Sequence, residues 1–268
     1  MLPIQAFIAV VGVVCLVSKA TSAGWIAQKV RWLFWINVGY CLLQRIGWDP
    51  LFEDSNAGLF SRSNQLAALF LVAVPFLGLT GKLAAAVGVV IYQSWTGIIG
   101  LFFWAGYRAF TRPMGRSWGV SNWAVILGLF CAVGFLSRPA MWAMNAEPRV
   151  ETWRAVIGLS LWNPLIGHGD TLRNFANLQN LPNAGESYFT YSVLFGAFYA
   201  LGLLGIVGLI ALAGWIARSR PSREKEAALL FAWACLFQNL LDFPRMILLG
   251  CALLAALEIK NQELANES

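Results

Sequence analysis

Arg62, Arg138, Arg149, Arg154, Arg173 and Arg245, with Glu186, Asp170, Asp242 and His168, are the side chains in this sequence best suited to chemistry. Arginine stays charged and presents a planar fork of donors that matches phosphate and pyrophosphate oxygens, so a group of arginines points to an anionic ligand. Singly, an arginine also snorkels from a helix end and pairs with a neighbouring acid. Glu186 stands directly before a long apolar stretch. It either complements the dipole of the helix that starts there or, partly desolvated, takes a proton from a sugar hydroxyl. Gly167 and Gly169 flank His168, which fits a tight turn or a close approach of backbone to a ligand. His168 itself is open to a structural or a ligand-binding role. Asp242 and Arg245 share the short turn LDFPR and can simply pair.

Other chemistries have no foothold. Cys15, Cys41, Cys131, Cys235 and Cys251 lie in apolar runs without CxxC spacing and read as small core residues. A single histidine excludes a His-rich metal site, and no metal or cofactor is expected. No P-loop, GxSxG or HExxH motif occurs.

The elements that must position these groups follow from composition. Of 268 residues, 59% are hydrophobic and only 12% charged, with a mean hydropathy of +0.64. Soluble chains hold about 25% charged residues, so the sequence predicts an all-α, polytopic membrane helix bundle rather than a soluble enzyme, a disordered tail or a nucleic-acid module. A crossing needs about 20 largely apolar residues. Candidate spans fall near 2–17, 32–47, 64–81, 83–94, 97–110, 119–137, 187–215, 227–241 and 245–258, about nine in all. The two at 83–94 and 97–110 are short and meet at Gln93-Ser94-Trp95-Thr96, as a shallow hairpin does.

Lysine and arginine set the orientation. With a cytoplasmic C-terminus, the inner side holds every lysine and seven arginines, twelve basic residues against five acids and a net +7. The outer side holds seven arginines against eight acids, which restores the total of +6. The basic pI is thus a topogenic signal. The same parity places Met1 outside, with no cleavable signal pattern, and predicts that a complete relative has further N-terminal helices.

Membrane helices are expected over 1–137 and again over 187–268, the latter ending in a short cytoplasmic tail. Between them, 138–186 is the one extended polar stretch, and a loop this long is usually functional or disordered. Helical spacing runs from Glu151 to Leu161, and Asn163-Pro164 and Gly167-His168-Gly169 mark turns. With Trp153, Trp162, Phe175 and Leu178 available for packing, this segment is expected to form an ordered cap on the outer, periplasmic face.

Four stretches together resemble the O-antigen ligase and Wzy-type polysaccharide polymerase superfamily. GLFSRSNQLAALFLVAVPFLGL (58–79) looks like the family's Gly-Phe, Asn and proline-bearing span. EPRVETWRAVIGLSLWNPLIGHGDTLRNF (147–175) is similar to its Arg, Trp and "NPLxGxGxxxF" run. ESYFTYSVLFGAFYALGLLGIVGLI (186–210) resembles the helix after the loop, with the Gly202 and Gly205 pair, and KVRWLFWINVGYCLLQRIG (29–47) an earlier span ending in Gln44. Where family ligases open the post-loop helix with His-Asn, this chain has Gly185-Glu186, followed by Ser187, and so resembles exopolysaccharide polymerase members with Glu-Ser.

The resemblance implies a metal-independent glycosyltransferase of the bacterial inner membrane. An undecaprenyl-diphosphate-linked glycan is its donor, and another glycan or lipid A its acceptor. On that reading Arg149 clamps the diphosphate, helped by Arg154, Arg62 or Arg245, and Glu186 orients or deprotonates the acceptor. Gly167, His168 and Gly169 lie against substrate. Two rival readings are a truncated, non-catalytic relative in a glycan-assembly complex and a lipid-glycan transporter, which typically carries charged spans or internal repeats.

Overall fold

The computed structural model describes residues 22–46, 63–92, 94–111, 147–168, 192–237, 240 and 244–267, and all that follows concerns these. They are helical, without strands. The helices are α1 (Ala23–Arg45), α2 (Ser63–Ala73), α3 (Leu79–Ile91), α4 (Trp95–Thr111), α5 (Glu147–Ser160), α6 (Val193–Arg218), α7 (Arg223–Phe237) and α8 (Pro244–Asn266). The predicted spans 2–17 and 119–137 lie outside the described residues.

Local chemistry explains where the helices start and stop. Ser22 caps α1, its Oγ accepting from the Trp25 amide. Pro75 removes a donor and turns the end of α2 into a 3-10 turn over Val74–Phe76, which delivers the chain into α3. Ser94 separates α3 from α4 and caps the latter through the Gly97 amide. The turn therefore falls where the sequence placed it. Ser222 caps α7 through the Lys225 amide, and Glu224 and Glu226 in its first turn complement the dipole.

α2 is the axis of the bundle. Every residue from Gln65 to Leu77 is buried, because α1, α3, α4 and α7 all pack on this helix. Phe34 of α1 meets Phe70 edge-to-face at 5.1 Å, and Gly88 of α3 lets that ring approach its backbone. Gly100 of α4 admits Leu71 in the same way. Small residues are what allow apolar helices to close in on one another where the hydrophobic effect between them is weak.

α6 behaves differently. Among the described residues it is the one helix long and apolar enough to cross a membrane, yet only 28% of its most apolar stretch is buried. Leu201, Leu204, Val207 and Ile210 are exposed. A helix with an apolar outer surface calls for an apolar surrounding medium rather than water.

One end of the bundle is bound by polar contacts. Lys225 Nζ donates to the carbonyls of Ala217 and Ser219 at 2.7 and 2.8 Å, satisfying the last turn of α6. Asn261 of α8 donates to Ser219 Oγ and accepts from the Arg220 amide. Trp104 Nε1 and Arg108 Nε both donate to Glu226 Oε2 at 2.8 Å, while Arg108 and Lys82 lie over the Trp104 ring at 4.8 and 5.4 Å.

At the same end, Glu263 of α8 accepts from the Ala23 amide at the N-terminus of α1 and from Lys260. The hydrogen bond from Lys260 holds the Glu263 carboxyl below its ordinary range, and the same bond raises Lys260. The depressed carboxyl stabilises the fold above its unfolded pKa and loses that contribution as pH falls through the folded value. Glu263→Gln should therefore flatten the acid limb of a stability–pH curve measured by thermal unfolding. An unchanged acid limb would remove Glu263 as the latch between α1 and α8.

Candidate functional site at a broken helix

The sequence run Asn163-Pro164-Leu165-Ile166-Gly167-His168 and the kink of α6 form a single interlocking unit. Gly202 has φ 60° and ψ −145°, a conformation essentially reserved for glycine, and it splits α6 in two. In an unbroken helix the Leu203 amide donates to the Tyr199 carbonyl. Here the Leu203 amide donates to the Pro164 carbonyl at 2.8 Å, and the Tyr199 carbonyl accepts from the His168 amide at 2.9 Å. The turn thus supplies both partners that the break removes. Backbone left without a partner in an apolar medium costs several kcal/mol, about as much as a lost helical turn can bear. The break and the turn therefore depend on each other.

The turn is built to reach that break. Asn163 Nδ2 donates to the Gly167 carbonyl and the Gly167 amide to the Asn163 carbonyl, closing a compact loop. Gly167 has φ 74°, and a Cβ on it would lie 2.6 Å from the Ala200 carbonyl group and the Gly202 nitrogen. A Cβ on Gly202 would lie 2.5 Å from the Pro164 oxygen. The two glycines face each other across the junction, so neither backbone could approach with a side chain in place. The His168 ring stacks on Tyr199 with centroids 4.9 Å apart and planes 26° apart.

α5 brings its residues to the same place. Trp153 stacks on Phe195 of α6 at 5.0 Å, Val156 is fully buried, and the buried Ser160 donates to the Val156 carbonyl. The helix predicted from Glu151 to Leu161 is thus present one turn longer at its start. Trp162, expected to pack within the cap, is instead 86% exposed, beside exposed Leu161, Leu165 and Ile166. The docking hydrogen bonds of 163–168 turn these side chains away from α6, leaving an uncharged apolar ridge beside the kink.

Of the site residues expected from the sequence, Gly167 and His168 lie in the docked turn. Arg149 is in the first turn of α5, one turn before Trp153. Arg154 is exposed on the same helix, about 140° around its axis from Arg149 at 100° per residue. Arg245 is exposed in the first turn of α8, which packs on α1 and α7. Arg62, Gly169 and Glu186 lie outside the described residues, as do Arg138, Asp170, Arg173 and Asp242. Sequence reasoning missed Tyr199, which looks like one more aromatic in an apolar run; its signal is the Gly202 break three residues later. No protein-family profile, curated protein or solved structure matches the chain.

Proposed function

We propose that the protein is a membrane glycosyltransferase of the polysaccharide polymerase or O-antigen ligase type. It moves an undecaprenyl-diphosphate-linked glycan onto a sugar hydroxyl at the outer face of a bacterial inner membrane. One observation carries this reading. Two of the stretches that resemble the superfamily, 147–175 and 186–210, are separate in sequence yet interlock through paired backbone hydrogen bonds at Gly202. The junction joins α5, which carries Arg149, to α6, the helix that follows Glu186 in sequence.

In the proposed reaction the acceptor hydroxyl attacks the anomeric carbon, its proton passes to Glu186, and the lipid diphosphate leaves with its bonding electrons. The leaving group is already anionic, so the task is to hold it and activate the nucleophile. Arg149 clamps the diphosphate, with Arg154, Arg62 and Arg245 as further cations, in surroundings where low dielectric strengthens each contact. The apolar ridge of Leu161, Trp162, Leu165 and Ile166 suits the polyprenyl end of such a donor. For the proposed bundle of about nine spans, the contacts at the polar end support a cytoplasmic C-terminus. There Lys82, Arg108, Arg220, Lys225 and Lys260, all expected on the inner side, join one set of helix ends.

The test is transfer by purified protein, read as release of undecaprenyl diphosphate from a glycan-loaded donor. Arg149→Ala should raise the barrier by about 2–4 kcal/mol, a loss of roughly thirtyfold to a thousandfold in rate. Glu186→Gln should fall into the same range. Arg154→Ala, on the exposed side of α5, should lose less than about tenfold, as exposed charge contacts do. Wild-type turnover in both Arg149→Ala and Glu186→Gln at equal protein level would remove this assignment.

A further inference from the structure

Among the described residues one buried side-chain polar atom has no hydrogen-bond partner: Nε2 of Gln65. Gln65 is 2% exposed and is the only polar side chain in the buried run from Gln65 to Leu77. It sits in the first turn of α2, at the opposite end of the bundle axis from the cluster of Lys82, Trp104, Arg108 and Glu226. Other polar side chains buried toward this end are occupied. Ser94 Oγ caps α4, and Tyr40 and Gln44 near the end of α1 have partners. An amide donor shut away from water without an acceptor costs about as much as a lost hydrogen bond, and evolution has an inexpensive remedy in leucine.

We propose that Gln65 is a ligand-binding residue, its amide nitrogen donating to a phosphoryl or hydroxyl oxygen of the lipid-diphosphate glycan. The chemistry selects the ligand class. Nε2 is a donor, so it recognises oxygen acceptors and not cations. The amide is neutral, so it can wait unliganded inside the bundle without the desolvation penalty that a buried guanidinium pays. The inference rests on the glycosyl-transfer reading above.

Binding of undecaprenyl diphosphate, with and without glycan, and of inorganic pyrophosphate to the full chain in lipid nanodiscs, together with thermal unfolding, tests it. Gln65→Leu and the near-isosteric Gln65→Met should unfold at the same or a higher temperature than wild type. Both should bind glycan-loaded undecaprenyl diphosphate about tenfold to a hundredfold more weakly, the range set by a hydrogen bond to a charged group. A parallel loss for inorganic pyrophosphate places the contact at the diphosphate; a loss confined to glycan-loaded donor places it at a sugar hydroxyl. Unchanged affinity in a folded variant overturns the assignment while leaving the transferase reading intact. Lower stability with unchanged affinity also overturns it, marking Gln65 as structural. Wild-type protein that binds none of the probes and transfers no glycan overturns both.

Discussion

Gly202→Ala should release the turn at 163–168 from α6 and destabilise the protein by at least about 3 kcal/mol. Three costs combine. A non-glycine residue at φ 60°, ψ −145° is strained by about 1–3 kcal/mol. The new Cβ would stand 2.5–2.6 Å from the Pro164 oxygen and the Leu165 carbonyl group, backbone atoms that cannot rotate aside. If the turn withdraws, the Leu203 amide and Tyr199 carbonyl lose their partners together, at about 1–3 kcal/mol for each group left unsatisfied. These terms overlap, because strain relieved by undocking is replaced by unmet hydrogen bonds.

Gly167→Ala, which strikes the same junction from the other side, should give a similar result, and the double variant should cost little more than either alone. Gly208→Ala supplies the control: it lies on the same helix with open space around it, and alanine there should be neutral or mildly stabilising. Thermal unfolding in detergent and limited proteolysis between 161 and 168 read the outcome. A Gly202→Ala protein as stable and protease-resistant as wild type would mean that the turn does not depend on the break.

The same junction shows what sequence can and cannot supply. Asn163-Pro164 and Gly167 are readable as turn residues because their backbone preferences are local, and so was the hairpin point at Ser94. Gly202 and Gly205 were noticed as a pair, but their purpose was not legible. A glycine in an apolar helix is equally consistent with close helix packing, as at Gly88 and Gly100. Only the positive φ and the displaced hydrogen bond between Tyr199 and Leu203 distinguish a break from a groove. Helix ends drifted for a related reason. Hydropathy marks where apolar residues stop, whereas the helices of α1 and α8 continue into polar residues held by tertiary contacts, as Glu263 does with Ala23. Gln65 was hidden because a single amide in an apolar run carries no period. Its meaning lies in the absence of an acceptor, which is a property of the packed bundle.

At the opposite end the largest expected effect belongs to Glu226. Glu226→Ala should destabilise the protein by about 3–5 kcal/mol, the cost of breaking a buried ion pair from one side. The carboxylate and its partner Arg108 are 5% and 12% exposed, and the same Oε2 accepts from Trp104 Nε1. Removing it leaves two cations, Arg108 and Lys82, over a single indole whose N–H has lost its acceptor. Glu226→Gln can still accept from Trp104 but no longer neutralises Arg108, so its loss should fall between alanine and wild type. Because the pair is shielded, raising the salt concentration should change little, unlike an exposed pair. Glu226→Leu combined with Arg108→Met should recover much of the stability, since the penalty arises from an uncompensated charge rather than from a missing attraction.

The substitution also separates packing from membrane topology. Acidic residues contribute little to orientation, and losing the Glu226 carboxylate only adds to the basic excess of the side proposed to face the cytoplasm. Glu226→Ala protein should thus insert the same way round, judged by cysteine accessibility at Arg218→Cys in a background with the native cysteines replaced, while unfolding at a lower temperature. If stability were unchanged, the contacts of Glu226 with Trp104 and Arg108 would be incidental to the fold. If instead the orientation inverted, it would be set by the carboxylate rather than by the basic residues, contrary to the charge rule on which the proposed orientation rests.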